Sequence, residues 1–140
     1  MALLDVNALV ALAWDPHIHH ARMRRWFADN DNAAPGWATC PITESGFVRV
    51  STHPKVLPSP IGVADALRVL TSLRAHQGHR FLVDDVSPVD DDVPAIVGHR
   101  QVTDAQLLTL ARRRGVRLVT FDAALGALAQ RRDVEVLSVL

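Results

Sequence analysis

A chain of 140 residues, 49% hydrophobic and 21% charged, is long enough to bury one core and too apolar to stay disordered. Its formal net charge is zero, which excludes a global nucleic-acid footprint and leaves only local basic clusters informative. The single cysteine, Cys40, cannot make an internal disulfide, as suits a reducing cytoplasm.

Residues 1–6, MALLDV, read as an apolar strand with Asp5 near its exit, and Asn7 is expected to cap a short helix over residues 8–14. Because Asp5 interrupts that apolar run, neither a signal peptide nor a membrane-spanning helix is expected. Residues 17–30 read as a second helix, with Ala21, Met23, Trp26 and Phe27 apolar and Arg22, Arg24 and Arg25 more exposed. A polar turn over residues 30–36 follows, then a strand at Trp37-Ala38-Thr39-Cys40. Pro41 opens a helix that carries Glu44, Phe47, Val48 and Val50 and ends near Ser51. After a proline-rich loop, Val63, Leu67, Leu70 and Leu73 mark a longer amphipathic helix, and Phe81-Leu82-Val83 a third strand. Residues 84–92 are acidic and turn-rich, expected as a solvated loop, and residues 94–97 as a short helix.

Residues 98–122, GHRQVTDAQLLTLARRRGVRLVTFD, make one complete helix and strand. Thr103-Asp104-Ala105-Gln106 fits a capping box, and Leu107, Leu108 and Ala111 recur at helical spacing. Arg112, Arg113 and Arg114 suit the negative end of the helix dipole, and Gly115 stands where a helix stops. Residues 116–120 form a β-branched run that ends at Phe121-Asp122 before an alanine- and leucine-rich segment, and residues 134–137 form a weak last strand. Strands alternating with helices over short connections predict one α/β domain, residues 1–140, with a parallel sheet flanked by helices on both faces.

In such a sheet the strands' carboxyl ends share one edge, where ligands bind. Asp5, Glu44, Asp104 and Asp122 all fall at strand exits or adjacent helix starts. Any one of them could merely satisfy free N–H groups at a helix start. Four carboxylates together repel one another unless a cation or protons neutralise them. Oxygen ligands point to magnesium, with manganese as the other candidate, and hence to phosphoryl-transfer chemistry. Asn7 and Thr120 lie two residues from their acids and could orient them, although cap and edge roles are as natural.

The segments LLDVNALVAL, PITESGFVRV and TDAQLLTLARRRGVRLVTFD together resemble a PIN domain, specifically the VapC-type toxins of bacterial toxin-antitoxin pairs. The resemblance covers nearly the whole chain, and the family's four acids match Asp5, Glu44, Asp104 and Asp122, with Asn7 beside the first and Thr120 in a Thr-x-Asp ending. It implies a five-stranded parallel sheet and a homodimer. It also implies a magnesium- or manganese-dependent endoribonuclease that cuts structured RNA such as tRNA or rRNA and is restrained by a cognate antitoxin. Leu125 stands where the family often has phenylalanine, and the acidic run of residues 84–92 is no family motif.

Other readings fit less well. Zinc at His17, His19 and His20, or at His76 and His79, lacks a supporting cysteine pair. A haloacid-dehalogenase-like phosphatase wants an aspartate where Asn7 stands, and a phosphoacceptor receiver wants a late lysine, whereas Lys55 is the sole lysine. A catalytically idle PIN-like module is the rival from another class. Arg22, Arg24, Arg25 and Arg49 are candidate phosphate contacts, as are His99 and Arg100 ahead of the helix start. Trp14, Trp26 and Phe27 could pack the core or line a groove for an antitoxin helix.

Overall fold

Three apolar residues form the central strand, β1 (Ala2–Leu4), and its side chains alternate between two cores. Ala2 and Leu4 join one buried cluster and Leu3 the other. The computed structural model describes residues 1–32, 36–129 and 133–137. In chain order the remaining elements are α1 (Val6–Ala13), α2 (His20–Asn32), β2 (Trp37–Thr39), α3 (Pro41–Ser51), α4 (Val63–Arg74), β3 (His79–Phe81), α5 (Val102–Arg114), β4 (Arg117–Thr120), α6 (Ala123–Gly126) and β5 (Val134–Val136). The strands make one sheet of order β3-β2-β1-β4-β5, parallel at every pairing.

Helices cover both faces, as the alternation of elements predicts. Residues of α1 to α4 pack with Trp37 and Val119 on one side, around Phe47 and Met23. On the other side Leu107, Leu108, Leu110 and Ala111 of α5 pack with Leu118 and Leu125. Helices α1 and α3 cross closely at Gly46, where a Cβ would overlap the Val6 side chain. Gly115 ends α5 at φ 65°, the left-handed conformation that glycine adopts without strain.

Several local details depart from the sequence reading. The cap of α1 is Asp5, whose Oδ1 accepts from the Val6 N–H at 2.7 Å, so Asn7 lies inside the helix. The second helix begins at His20 because residues 14–19 run as turns. Strand β3 pairs two residues earlier than the apolar run suggests: His79 sits opposite Trp37 and is buried, while Val83 is 67% exposed. No helix forms over residues 94–97, where Ala95 and Val97 are exposed and leave no apolar face to bury. A single 3-10 turn, His99–Gln101, leads directly into α5.

The capping box at Thr103 does not form. Helix α5 starts at Val102, and Gln106 donates to Asp84 Oδ2 at 3.0 Å and to the Val86 carbonyl at 3.2 Å. The expected turn over residues 30–36 lies partly outside the described residues. The acidic run is fastened rather than merely solvated. Arg113 donates to Asp90 (2.8 Å) and Asp92, while Arg114 reaches Asp85 and the Val83 carbonyl. Arg112 pairs with Asp133 at 2.9 Å. The arginines at the end of α5 therefore have defined partners besides the helix dipole. Among the described residues no helix is long and apolar enough to cross a membrane.

Candidate active site

The loop from β1 into α1 sets Asp5 at the sheet's carboxyl edge, 7% exposed. Its backbone N–H continues the sheet by donating to the Val119 carbonyl at 2.9 Å. Across this junction Thr120 Oγ1 donates to Asp5 Oδ2 at 2.8 Å and accepts from the Asp122 N–H at 3.0 Å. Asn7 completes the lattice. Its Nδ2 donates to Thr120 Oγ1 at 3.2 Å and its Oδ1 accepts from the Phe121 N–H at 3.1 Å. Thr120 and Asn7, the supporting residues expected from sequence, thus tie the exits of β1 and β4 together, and of the two only Thr120 bonds a carboxylate directly.

Asp122 caps α6, accepting from the Ala124 N–H through Oδ1 at 2.9 Å. Asp104 lies in the first turn of α5. Burial raises the Asp104 pKa to about 6, and the charges of Asp5 and Asp122 add to that rise. Burial also raises Asp5 above its ordinary value; the hydrogen bonds from Thr120 and Val6 oppose this, and Asp122 reinforces it. Three aspartates from β1, α5 and the end of β4 therefore share one electrostatic environment.

Glu44 faces other partners. It is 8% exposed in the first turn of α3, where Oε2 accepts from Thr39 Oγ1 at 3.1 Å and Oε1 from Arg74 Nη1 at 3.3 Å. Strand alternation gives the reason. Thr39 lies on the face of β2 that carries Trp37, toward α1 to α4, whereas Asp5 and Thr120 follow Leu3 and Leu118 toward α5. Thr39 also meets His79 Nε2 at 2.7 Å. Burial, with Arg74, Arg80 and His76 nearby, lowers the His79 pKa to about 4, so its ring is neutral near pH 7. A neutral ring carrying its proton on Nε2 donates to Thr39, which in turn donates to Glu44.

The other singled-out residues go elsewhere. His76 Nδ1 accepts from the indole N–H of Trp37 at 3.3 Å, and His20 bridges the Ala11 carbonyl and Asp15. Trp14 stacks on Phe47, and Trp26 and Phe27 pack into the core cluster, so these aromatics serve the interior. His99 and Arg100 are exposed on the 3-10 turn before α5. Two features had no local sequence signal. His19 stacks on Phe121 at 4.7 Å beside the site, and Arg74 lies 4.7 Å over the Phe81 ring.

Hard oxygen donors in mutual repulsion fit a divalent cation in charge and in chemistry. Among the described residues no three His, Cys, Asp or Glu side chains are gathered closely enough to hold an ion. Magnesium needs only one or two carboxylates and keeps water in its other positions, so the absence of a three-ligand cluster among the described residues is compatible with it.

A profile of the PIN domain matches residues 2–131. This chain belongs to the PIN-domain family, in its VapC branch. It is 75% identical over 143 aligned positions to Ribonuclease VapC38 of Mycobacterium tuberculosis, covering 100% of both chains. It is 47% identical to Ribonuclease VapC39 of the same organism, covering 97% of this chain and 99% of that one. The crystal structure of Mycobacterium tuberculosis VapC20, described as a sarcin-ricin loop cleaving toxin, superposes with a TM-score of 0.63 over 91% of this PIN domain and 94% of that chain. At 14% identity that likeness speaks for the fold.

Proposed function

We propose that this PIN domain is a magnesium- or manganese-dependent endoribonuclease toxin that cuts structured RNA such as tRNA or rRNA. The carrying observation is the gathering of Asp5, Asp104 and Asp122 at the sheet's carboxyl edge, where burial and their mutual charges raise the pKa of Asp5 and of Asp104. The ribonuclease names of its full-length relatives support the same reading.

In this reading one or two of Asp5, Asp104 and Asp122 would hold the cation directly, and Glu44 is the fourth acid of the family's set. The bound ion supplies Lewis acidity toward a phosphodiester oxygen and a water of lowered pKa. Thr120 and Asn7 fix the Asp5 and Asp122 loops, so that the carboxylates need little reorganisation. Glu44 gives Oε1 to Arg74 and Oε2 to Thr39, and contributes charge while so held.

The protein acts in the cytoplasm as a homodimer under a cognate antitoxin. An open groove of about 630 Å³ between α1, α2 and α4, lined by Leu12, Val69 and Leu73 with Arg24 and Arg68 at its margin, supports the docking of such a partner. The test is cleavage of total tRNA and rRNA by the antitoxin-free protein in magnesium, manganese or EDTA. Cutting in either metal, absent in EDTA and suppressed by the antitoxin, is expected. A folded, metal-binding protein that cuts neither RNA class would point instead to an idle binding module.

A further inference from the structure

The acids are not the sole chemistry on the carboxyl edge. Strand β3 ends at Phe81, which pairs level with Thr39 and is 40% exposed. Arg74, at the last position of α4, lays its guanidinium 4.7 Å over that ring while Nη1 donates to Glu44. The Arg74 side chain remains 46% exposed, and its buried partner Glu44 only 11%. A guanidinium held from below by an aromatic face and from one side by a buried carboxylate has its plane fixed before any ligand arrives.

Position gives that cation a use. The sheet order β3-β2-β1 puts the end of β3, where Phe81 stands under Arg74, two strands from the end of β1, about 10 Å across the sheet at the usual strand spacing. A chain of zero net charge offers no general attraction to RNA, so a strand at this edge needs local cations besides the one the aspartates would hold. Arg74 presents five N–H donors in a planar fork, of which the Glu44 bond occupies one.

Resting on the ribonuclease reading above, we propose that Arg74 binds a backbone phosphate of the substrate RNA next to the scissile one, with Phe81 and Glu44 as the residues that orient it. The contact is to phosphate, so it adds affinity and register without sequence preference. A purely structural role, the neutralisation of Glu44, is the competing account.

The two differ in salt dependence. The probe is a short fluorescein-labelled single-stranded RNA, with binding followed by anisotropy across a salt series in magnesium. An Asp104→Asn background prevents cleavage, and wild-type cleavage of total RNA is run alongside. Arg74→Gln is expected to weaken binding about 3- to 10-fold and to lower the salt slope by about 0.7, the share of one phosphate on a single strand. Arg74→Lys keeps the slope but loses a few-fold in affinity, because the stacked plane is gone. Phe81→Leu weakens binding about 2- to 3-fold with the slope unchanged. An Arg74→Gln slope equal to the parent's, with only a lower melting temperature, overturns the proposal in favour of the structural role. Failure of the wild type to cut RNA in any metal overturns the ribonuclease reading, and the phosphate contact falls with it.

Discussion

Thr120 gives its hydroxyl proton to Asp5 across 2.8 Å, joining residues 115 positions apart in sequence. The same oxygen accepts from the Asp122 N–H, so one buried hydroxyl sets two of the three aspartate loops. Thr120→Val keeps the shape of the side chain and removes the hydroxyl. RNA cleavage is expected to fall about 10- to 100-fold, as is usual when a partner that orients a metal ligand is lost. Stability should fall by about 1 to 3 kcal/mol, because a buried Asp5 oxygen loses its donor. Thr120→Ser should recover most of both. Equal activity of the valine and wild-type proteins would remove Thr120 from the site's architecture.

Two groups should give the metal-free protein opposing pH responses. The Asp104 pKa is raised, from 3.8 to about 6, so folding favours its protonated form and its destabilising effect grows as pH rises through roughly 4 to 6. The His79 pKa is lowered, from 6.5 to about 4, so the folded state loses stability as pH falls from 6.5 toward 4. Asp104→Asn should therefore stabilise the metal-free protein at pH 7, by about 1 kcal/mol after solvent screening, with little effect at pH 4. His79→Gln should flatten the acid side of the curve. Thermal melts in EDTA across this range measure both, and a destabilised Asp104→Asn protein at pH 7 contradicts the assignment.

The strapped acidic run gives a separate expectation. Arg113 joins Asp90 and Asp92 on the side of α5 away from its first turn, where Asp104 lies. Arg113→Ala should leave RNA cleavage within two-fold, on the order expected for a surface change remote from the chemistry. It should, however, make residues 84–92 an early site of limited proteolysis, and raising salt on the wild type should move cutting the same way. Unchanged proteolysis in the variant would mean that the backbone of the run holds without these pairs.

Much of this was written in local sequence. The apolar run before Asp5, Pro41 opening α3 and Gly115 closing α5 each fix an element by short-range chemistry, and the parallel sheet follows from alternating elements. What escaped depends on pairing between distant segments. The apolar triplet Phe81-Leu82-Val83 outweighs His79 in any pattern count, yet the register follows Trp37 opposite His79 and the bond from His79 to Thr39. Thr103 carries a capping signature, but Gln106 is drawn to Asp84 and Val86 instead. Glu44 was legible as an acid at a helix start. Its pairing with Arg74, 30 positions on, was not.

Glu44 provides a further contrast among the acids. Because Arg74 and Thr39 already hold it, Glu44→Gln should reduce cleavage less than Asp5→Asn or Asp104→Asn, with its main cost in the unpaired Arg74. Rate constants at saturating magnesium compare the variants directly. A Glu44→Gln defect equal to that of Asp104→Asn would place Glu44 on equal terms with the three aspartates.

The three-aspartate centre is tested most directly by calorimetric titration of magnesium into the wild type and into Asp5→Asn, Asp104→Asn and Asp122→Asn, beside cleavage of rRNA by the same samples. The account predicts that each variant stays folded and loses the cation and the cleavage together. Wild-type cleavage that persists in EDTA, or a variant that no longer binds magnesium yet cuts at the wild-type rate, would contradict it.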